Sequence, residues 1–306
     1  MNKDPKKTAK TAAKWAARFA LLPLLLVACG SAPEDPPAGG RLTAKQLCAD
    51  PSATSANVRP ITSFGAVGDG VADDYAAFVA AANWLSSQPA TPQPALVFPP
   101  GVYKIDRVFS TTKPASPTCE RGSLCLAEHI VWRNLPGARI QGCDDVRIKL
   151  KGDFRQAAGD WVVDDRYSPT LTTIDPFVFE GGVGFVLDGL QIDGSANDTA
   201  RDPEVQPDLS GGVGIRTRGS ENYLLSNLFV HNMQSDGIVL GDAPRSAPDG
   251  EDVHRETRPD QEFMLDHVSS RYNGRQPLTI LSARRGVFTN LELEGTGGFA
   301  LPAICR

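Results

Sequence analysis

VLDGLQI at 186–192 has three counterparts further along the chain, and together these four segments decide the fold. The counterparts align with it without gaps: LLSNLFV at 224–230, MLDHVSS at 264–270 and VFTNLEL at 287–293. In each segment apolar residues alternate with polar ones, which is the period of a half-buried strand and not of a helix. The pattern therefore predicts short strands that recur along the chain.

A second series of strands lies between these segments and fixes the length of the repeat. It begins at Gly214, Gly237 and Pro277. Gly214 and Gly237 are 23 residues apart, as are Met264 and Val287, and two insertions account for the longer intervals. Coils of this length with short strands and tight turns are typical of a parallel β-helix. The LxxLxLxxN pattern of leucine-rich repeats is absent.

The N-terminal part of the predicted domain contains two further informative segments. ITSFGAVGDGVADDYAAFVAAANW at 61–84 predicts a strand, a glycine-rich turn and a helix. The helix is expected to begin near Asp73 and Asp74, whose carboxylates can accept the free amides of its first turn. ALVFPPGVYKI at 95–105 predicts two strands joined by a Pro-Pro-Gly turn.

These two segments resemble the opening of the pectate-lyase-like superfamily, in its rhamnogalacturonase and epimerase branch. Members begin with a pattern close to FGAxGDGxxDD followed by VxxPxGxY, and residues 64–74 and 98–103 match it, with Tyr75 at a usual Thr position. NGRQPLTI at 273–280 also resembles an NGRQGISI coil of such proteins. The resemblance implies an all-β fold, a right-handed parallel β-helix (a solenoid) with an N-terminal capping helix, and a polysaccharide-binding groove.

The first residues predict a lipoprotein signal peptide over 1–28. Five lysines precede a short apolar stretch, and the small residue Ala28 precedes Cys29, an order that resembles the bacterial lipobox with a diacylated cysteine. Residues 29–57 are interpreted as a tether and lead-in, and 58–306 as the β-helix domain. The predicted location is the bacterial cell envelope, lipid-anchored at Cys29 in the outer membrane and facing the periplasm or the surface.

The remaining bulk features exclude some classes of protein and leave others open. A net charge of −5 argues against a nucleic-acid-binding protein.

The cysteines after Cys29 can form disulfides, and the most natural pair is Cys119 with Cys125, which flank a polar turn. The sequence contains no CxxC motif and no histidine cluster that would predict a metal site. The chain ends at Arg306 without an amphipathic capping element, which favours a C-terminally truncated product or a fragment.

Two insertions are predicted to wall a groove. The first is SANDTARDPEVQPDLS at 195–210, and the second spans about 242–261. The first insertion precedes the strand that begins at Gly214-Ile215, and the second follows the strand that begins at Gly237-Ile238. The two insertions are therefore expected to leave the coil at opposite ends of the same stack of strands. Long loops on a rigid scaffold often carry function. Disordered loops without a role in binding are the alternative.

The side chains of this groove supply the candidate site. Asp236, Arg216 and Arg218 are the candidate catalytic residues, because Asp236-Gly-Ile weakly resembles a polygalacturonase coil and guanidinium groups bind carboxylates. Arg275, Gln276 and Asp242 are the candidate substrate-binding residues. Asp236 alone does not supply the acid and base that inverting hydrolysis needs. The alternative for Asp236 is a purely structural role as a turn residue before glycine. His231 is a further candidate base, and its alternative is a structural role as a polar residue at the end of a strand.

The predicted function is a secreted carbohydrate-active β-helix that acts on acidic polysaccharide as a lyase, a hydrolase or an epimerase. A non-catalytic glycan-binding or structural surface lipoprotein is the alternative, because no catalytic constellation is visible. No cofactor is firmly predicted. Ca²⁺ is permitted by the acidic residues of the insertions, although they show no ordered ligand spacing. The oligomeric state is left open.

Overall fold

The computed structural model describes residues 42–110, 129–151, 171–195, 212–241 and 259–294. These residues form two α-helices, α1 (Ala44–Ala49) and α2 (Tyr75–Ser86), one short 3-10 turn (Ile61–Phe64) and a series of short strands. The strands, in chain order, are β1 Val58–Pro60, β2 Asp69–Asp73, β3 Ala95–Phe98, β4 Gly101–Ile105, β5 Val108–Ser110, β6 Val131–Arg133, β7 Arg139–Gly142, β8 Val146–Leu150, β9 Leu171–Thr173, β10 Phe177–Glu180, β11 Val186–Asp188, β12 Gln191–Asp193, β13 Ile215–Arg218, β14 Leu224–His231, β15 Ile238–Leu240, β16 Asp260–Gln261, β17 Met264–Arg271, β18 Leu278–Ile280, β19 Ala283–Arg284, β20 Val287–Thr289 and β21 Glu292–Glu294.

The strands stack coil upon coil as a parallel β-helix with three faces. The first face contains β1, β3, β7, β11, the first halves of β14 and β17, and β20. The second contains β2, β4, β8, β12, the second halves of β14 and β17, and β21. The third contains β6, β10, β13, β15 and β18. Among the described strands only β5 and β9 pair antiparallel.

The register confirms the predicted repeat. Val186, Leu224, Met264 and Val287 are direct partners on the first face, as the gapless alignment of the four segments predicted. On the third face Ile215, Ile238 and Leu278 stack in the same way. The sequence alignment is therefore the structural alignment of the coils.

Side chains at equivalent positions stack inside the coil. Phe185, Tyr223 and Phe263 belong to successive coils and form a stack with ring centroids 5.0 and 5.3 Å apart. Trp132 and Phe177 stack at 5.6 Å. All five are at most 2% exposed. Offset-stacked rings in this range attract each other beyond the burial of their area, so the aromatic stack ties each coil to the next.

The bend between the first and second faces depends on left-handed residues. Gly189, Asn227, His267 and Asn290 occupy equivalent positions in four coils, with φ of 73°, 50°, 52° and 50°. Glycine and asparagine adopt this region most readily. These positions turn the chain in the middle of β14 and β17 without ending the strand, and they let one face pass directly into the next.

The polar residues at the start of α2 differ in detail from the expectation. Asp73 does accept the amide of Tyr75 at 3.1 Å, as predicted. Asp74 instead accepts the amide of Val67 at 2.7 Å, so it holds the glycine-rich turn and not the helix. Burial raises the pKa of the Asp74 carboxyl. On the other side of the helix, Phe78 packs against Phe98 at 5.3 Å.

A disulfide joins Cys48 of α1 to Cys143, which follows β7. The sequence left this pair open, because the two residues are separated by 95 positions. The bond attaches α1, which lies in the predicted tether and lead-in, to the outside of the coil. The pair proposed from the sequence, Cys119 and Cys125, lies outside the described residues.

A polar cluster sits inside the coil at Asp260, whose side chain is fully buried. Its carboxylate accepts hydrogen bonds from the amides of Ser220 (2.9 Å) and Gly241 (2.8 Å) and from the hydroxyl of Tyr223 (3.0 Å). The Thr217 hydroxyl also donates to it. Burial raises the pKa of this carboxyl. Asp260 thus connects two successive coils through donors that have no access to water.

Candidate functional site

The predicted catalytic aspartate, Asp236, lies in the turn before β15 and is 3% exposed. Its Oδ1 accepts the amide of Gln276 at 3.1 Å and lies 3.0 Å from Nε of Arg275. Its Oδ2 accepts the hydroxyl of Thr279 at 3.1 Å. Burial raises the pKa of Asp236, and the charge of Arg275 opposes that effect. The structure therefore brings Asp236, Arg275 and Gln276 together, within a closed set of contacts between two turns.

The two predicted arginines, Arg216 and Arg218, alternate with buried residues along β13, as expected. Arg216 Nε donates to Oδ2 of Asp175 at 3.0 Å, and Asp175 is fully buried. Arg218 lies 4.0 Å from Glu180 on the neighbouring strand. Both arginines thus have partners within the third face. Asp242, the other predicted substrate-binding residue, lies outside the described residues, as do most of both insertions.

A different set of polar side chains is concentrated on the second face. Because side chains alternate between the two sides of a strand, every second residue on this face points outward. The register places outward residues of successive coils next to each other, so they form a line across the strands. We call this line the charged row; it consists of Lys104, Lys149, Asp193, His231, Arg271 and Glu294. Neighbouring strands are roughly 4.8 Å apart, so adjacent members of the row are within reach of each other.

The centre of the charged row is His231, which lies between Asp193 on one side and Arg271 on the other. Its Nδ1 lies 2.8 Å from the side-chain amide of Asn232 and 3.7 Å from Oδ1 of Asp193, and its Nε2 lies 2.8 Å from the side-chain amide of Gln191. Asp193 is in turn ion-paired with Arg147 and accepts the amide of Ser195 at 2.9 Å. The side chains of Asn232 and Gln191 thus hold the ring, and the charge of the Asp193 carboxylate favours its protonated form.

The protonation states of this group follow from its surroundings. Burial opposes ionisation of Asp193, but the hydrogen bonds from Arg147 and from the amide of Ser195 outweigh it and lower the pKa of the carboxyl. Burial lowers the pKa of His231, against the charge of Asp193. At neutral pH the site therefore holds an ionised carboxylate next to a neutral imidazole, which can take up a proton.

Phe229 lies two residues before His231 on β14, and both side chains face outward. The two rings stack with centroids 4.3 Å apart and an angle of 23° between their planes. Phe229 is partly exposed and belongs to a second outward line, next to the charged row, with Arg147, Gln191, Ser269 and Glu292. Phe229 thus places a partly exposed aromatic ring beside a line of polar groups.

The charged row begins with two lysines, Lys104 and Lys149, and ends with Arg271 and Glu294. Near the first coils, Lys104 and Lys151 both pair with Asp106, at 3.3 and 2.6 Å. Near the last coil, Arg271 pairs with Glu292 and Glu294. Among the residues that the structure describes, no group of three or more His, Cys, Asp or Glu side chains could hold a metal ion. The acidic residues proposed for Ca²⁺ lie in the undescribed insertions.

The buried histidine makes folding sensitive to pH. The folded-state pKa of His231 lies below 6.5, its value in the unfolded chain, so below that pH the unfolded chain binds more protons and stability falls. Above that pH this contribution is constant. We expect the free energy of unfolding to fall more for the wild type than for His231→Gln between about pH 7.5 and about pH 5.5 in denaturant titrations. Equal losses in the two proteins would contradict this assignment.

Comparison with known proteins gives similar folds only. No protein-family model and no curated protein matches the sequence. One similar structure is the Azotobacter vinelandii mannuronan C-5 epimerase AlgE4 A-module, at 15% identity and TM-score 0.43, with coverage of 76% of this chain and 50% of that one. An iota-carrageenase bound to iota-carrageenan fragments matches at 16% identity and TM-score 0.46, with coverage of 78% and 42%.

A third similar structure is PfbA, a surface adhesin of Streptococcus pneumoniae, at 11% identity and TM-score 0.41, with coverage of 76% of this chain and 56% of that one. The chain thus spans about half the length of the structures it matches. At identities this low, the substrates of those proteins do not carry over to this chain.

Proposed function

We propose that this protein binds acidic polysaccharide along the charged row and cleaves it by β-elimination. The observation that carries the proposal is the position of His231, which lies between the carboxylate of Asp193 and the guanidinium of Arg271 on adjacent strands. The row offers a neutral base next to several cations. That combination suits a substrate whose sugar units bear carboxylates.

The proposed reaction needs a base and a cation. His231 would remove the proton from the carbon next to the uronate carboxylate, while Arg271 or Arg147 neutralises the charge that builds up on that carboxylate. The C–H bond and the C–O bond to the next sugar break, and a C=C bond forms. The proton passes to His231, and the leaving sugar oxygen gains a proton from solvent. Asp193 stabilises the protonated imidazole during this step.

Hydrolysis fits the same residues less well. It requires one protonated acid and one ionised base on either side of the glycosidic bond. Asp193 has a lowered pKa and is paired with Arg147, so it is not a proton donor near neutral pH. Asp236, Arg216 and Arg218 remain candidate catalytic residues on the third face. Arg216 pairs with the fully buried Asp175, whereas Arg271 pairs with two exposed glutamates that a substrate can displace, which favours the charged row as the primary site.

Non-catalytic glycan binding is the second candidate, and one observation favours it. His231 is 7% exposed and Asp193 is 3% exposed, so a sugar proton must come very close to reach the imidazole. Under this alternative the cations and Phe229 bind an acidic polymer, and His231 only supports the surface around them.

A product assay separates these functions. The protein is incubated with polygalacturonate, alginate or rhamnogalacturonan, and unsaturated products are read in the ultraviolet while reducing ends are measured separately. Elimination raises both signals together, whereas hydrolysis raises reducing ends alone. Retained binding without either product would support the non-catalytic alternative and contradict the proposed reaction.

We further propose, from the sequence, that Cys29 is lipidated and anchors the domain in the bacterial cell envelope. Residues 1–41 lie outside the described part of the chain. Within the described part, no helix has the length and apolarity needed to span a membrane. We also propose, from the sequence resemblance, that the coil is right-handed. We propose that α2 caps it, which the burial of Phe78, Ala81 and Leu85 in the main core supports.

A further inference from the structure

Tyr272 lies at the bend between the second and third faces, directly after Arg271 of the charged row. Its backbone is in the left-handed region, with φ of 54°, and the residue is 49% exposed. In the two preceding coils the equivalent residues are Ser195 and Asn232, each also with φ of 54°. A short polar side chain such as asparagine tolerates this region, whereas a bulky side chain is unusual in it. A tyrosine at this bend therefore lowers the stability of the fold.

The fold offers no contact that offsets this strain. Within the described ranges of the chain, the Tyr272 hydroxyl makes no hydrogen bond and its ring stacks on no other ring. Tyr272 also does not belong to the hydrophobic core or to the partly buried residues packed against it. Strained residues that persist without such support are concentrated at sites that bind ligands. The exposed ring thus points to a role in binding.

The side chain at this bend lies beside the charged row. In the preceding coil, the side-chain amide of Asn232 lies 2.8 Å from Nδ1 of His231, so it reaches back to the row. The pKa of Arg271 is raised chiefly by its hydrogen bond with Glu292, and the nearby hydroxyl of Tyr272 adds to this effect. Tyr272 therefore borders the row at the level of Arg271.

Aromatic rings border the centre of the charged row on both sides. Phe229 lies two residues before His231, and Tyr272 lies one residue after Arg271, which is the partner of His231 on the next strand. Consecutive residues of a strand are roughly 3.3 Å apart and neighbouring strands roughly 4.8 Å. A sugar unit whose carboxylate binds Arg271 is therefore within reach of the Tyr272 ring.

We propose that Tyr272 is a substrate-binding residue, whose ring covers the apolar face of the sugar unit held by Arg271. The inference rests on the proposed function and adds a contact that keeps the polymer on the row. The C–H groups on one face of a pyranose ring are apolar, so a flat side chain that covers them removes apolar surface from water. The guanidinium binds the carboxylate of the same unit. Tyrosine suits this task because its two side-chain torsions lose little entropy on binding.

Tyr272→Asn in the full chain tests this assignment. The probe is whichever of polygalacturonate, alginate and rhamnogalacturonan the wild type binds most tightly. We expect the dissociation constant to rise about 10-fold, the effect of losing the burial of roughly 50 Å² of apolar surface. The midpoint of denaturant unfolding should rise at the same time, because asparagine fits the left-handed backbone. Tyr272→Phe should keep the wild-type affinity, because it retains the ring.

Arg285→Asn is the matched control, because Arg285 also has a left-handed backbone, with φ of 56°, and an exposed side chain in the turn before β20. It should raise the unfolding midpoint and leave the affinity unchanged. If Tyr272→Asn binds as tightly as the wild type, or loses stability together with affinity, the assignment is overturned while acidic-polysaccharide binding stands. If the wild type binds none of the three polymers, the proposed function fails and the role of Tyr272 fails with it.

Discussion

His231→Gln is expected to lower the rate of unsaturated-product formation by at least about 100-fold, because removal of a general base typically has an effect of this size. Glutamine has similar bulk and keeps a polar group near Gln191 and Asp193, but it cannot accept the proton. The rate is measured as the ultraviolet absorbance of products on the best polysaccharide substrate. Binding of that substrate should change little.

His267→Gln is the matched control for this variant. His267 lies four residues before Arg271 on β17, its side chain is 61% exposed, and it pairs with Asp266 at 3.0 Å. Its loss should leave the rate unchanged. If His231→Gln retains the wild-type rate while folding normally, His231 is not the base and the reaction has to be assigned elsewhere on the coil.

Asp260→Ala is expected to reduce the free energy of unfolding by roughly 3–5 kcal/mol, because several donors inside the coil lose their acceptor together. The amides of Ser220 and Gly241 and the hydroxyls of Thr217 and Tyr223 all donate to this one carboxylate. None of these donors can turn to water without opening the coil. The measurement is a denaturant titration near neutral pH.

Asp266→Ala provides the comparison for Asp260→Ala. Asp266 also accepts several side-chain donors, including Thr289 at 2.6 Å, but its side chain is 30% exposed, so water can replace it. Its loss should cost about 1 kcal/mol. Similar losses in the two variants would show that the interior cluster at Asp260 contributes no more than an ordinary surface network.

The repeat was predictable because side-chain alternation and coil length are local properties of the sequence. Val186, Leu224, Met264 and Val287 were aligned by their pattern alone, and they are direct partners in the structure. The disulfide of Cys48 and Cys143 was not predictable. It depends on where α1 docks on the outside of the coil, which no local pattern encodes.

The charged row was not predicted, for a narrower reason. The aligned segments ended at Ile192, Val230 and Ser270, one residue before Asp193, His231 and Arg271. One more position would have placed an acid, an imidazole and a guanidinium in one column. The sequence indicates His231 as a candidate base by itself, but it gives no sign of Asp193, whose contacts are with residues on adjacent coils.

For the predicted residues on the third face, the sequence indicates the positions of the side chains but not their partners. The alternation of residues along β13 correctly predicts that Arg216 and Arg218 face outward. It does not show that Arg216 pairs with Asp175, which lies 41 positions earlier in the chain. Asp236 and Arg275 were grouped correctly, and they lie 3.0 Å apart. A linear pattern thus identified which residues meet, but not whether their charges are already neutralised within the fold.

Affinity electrophoresis through gels that contain an acidic polysaccharide tests the central claim, that the polymer lies on the charged row. Arg271 on the second face and Arg133 on the third face are matched, because each is a surface arginine paired with glutamate. We expect the gel to retard the wild type and Arg133→Ala equally and to retard Arg271→Ala much less. Equal retardation of the two variants, or a loss confined to Arg133→Ala, would contradict the assignment of the polymer to this face.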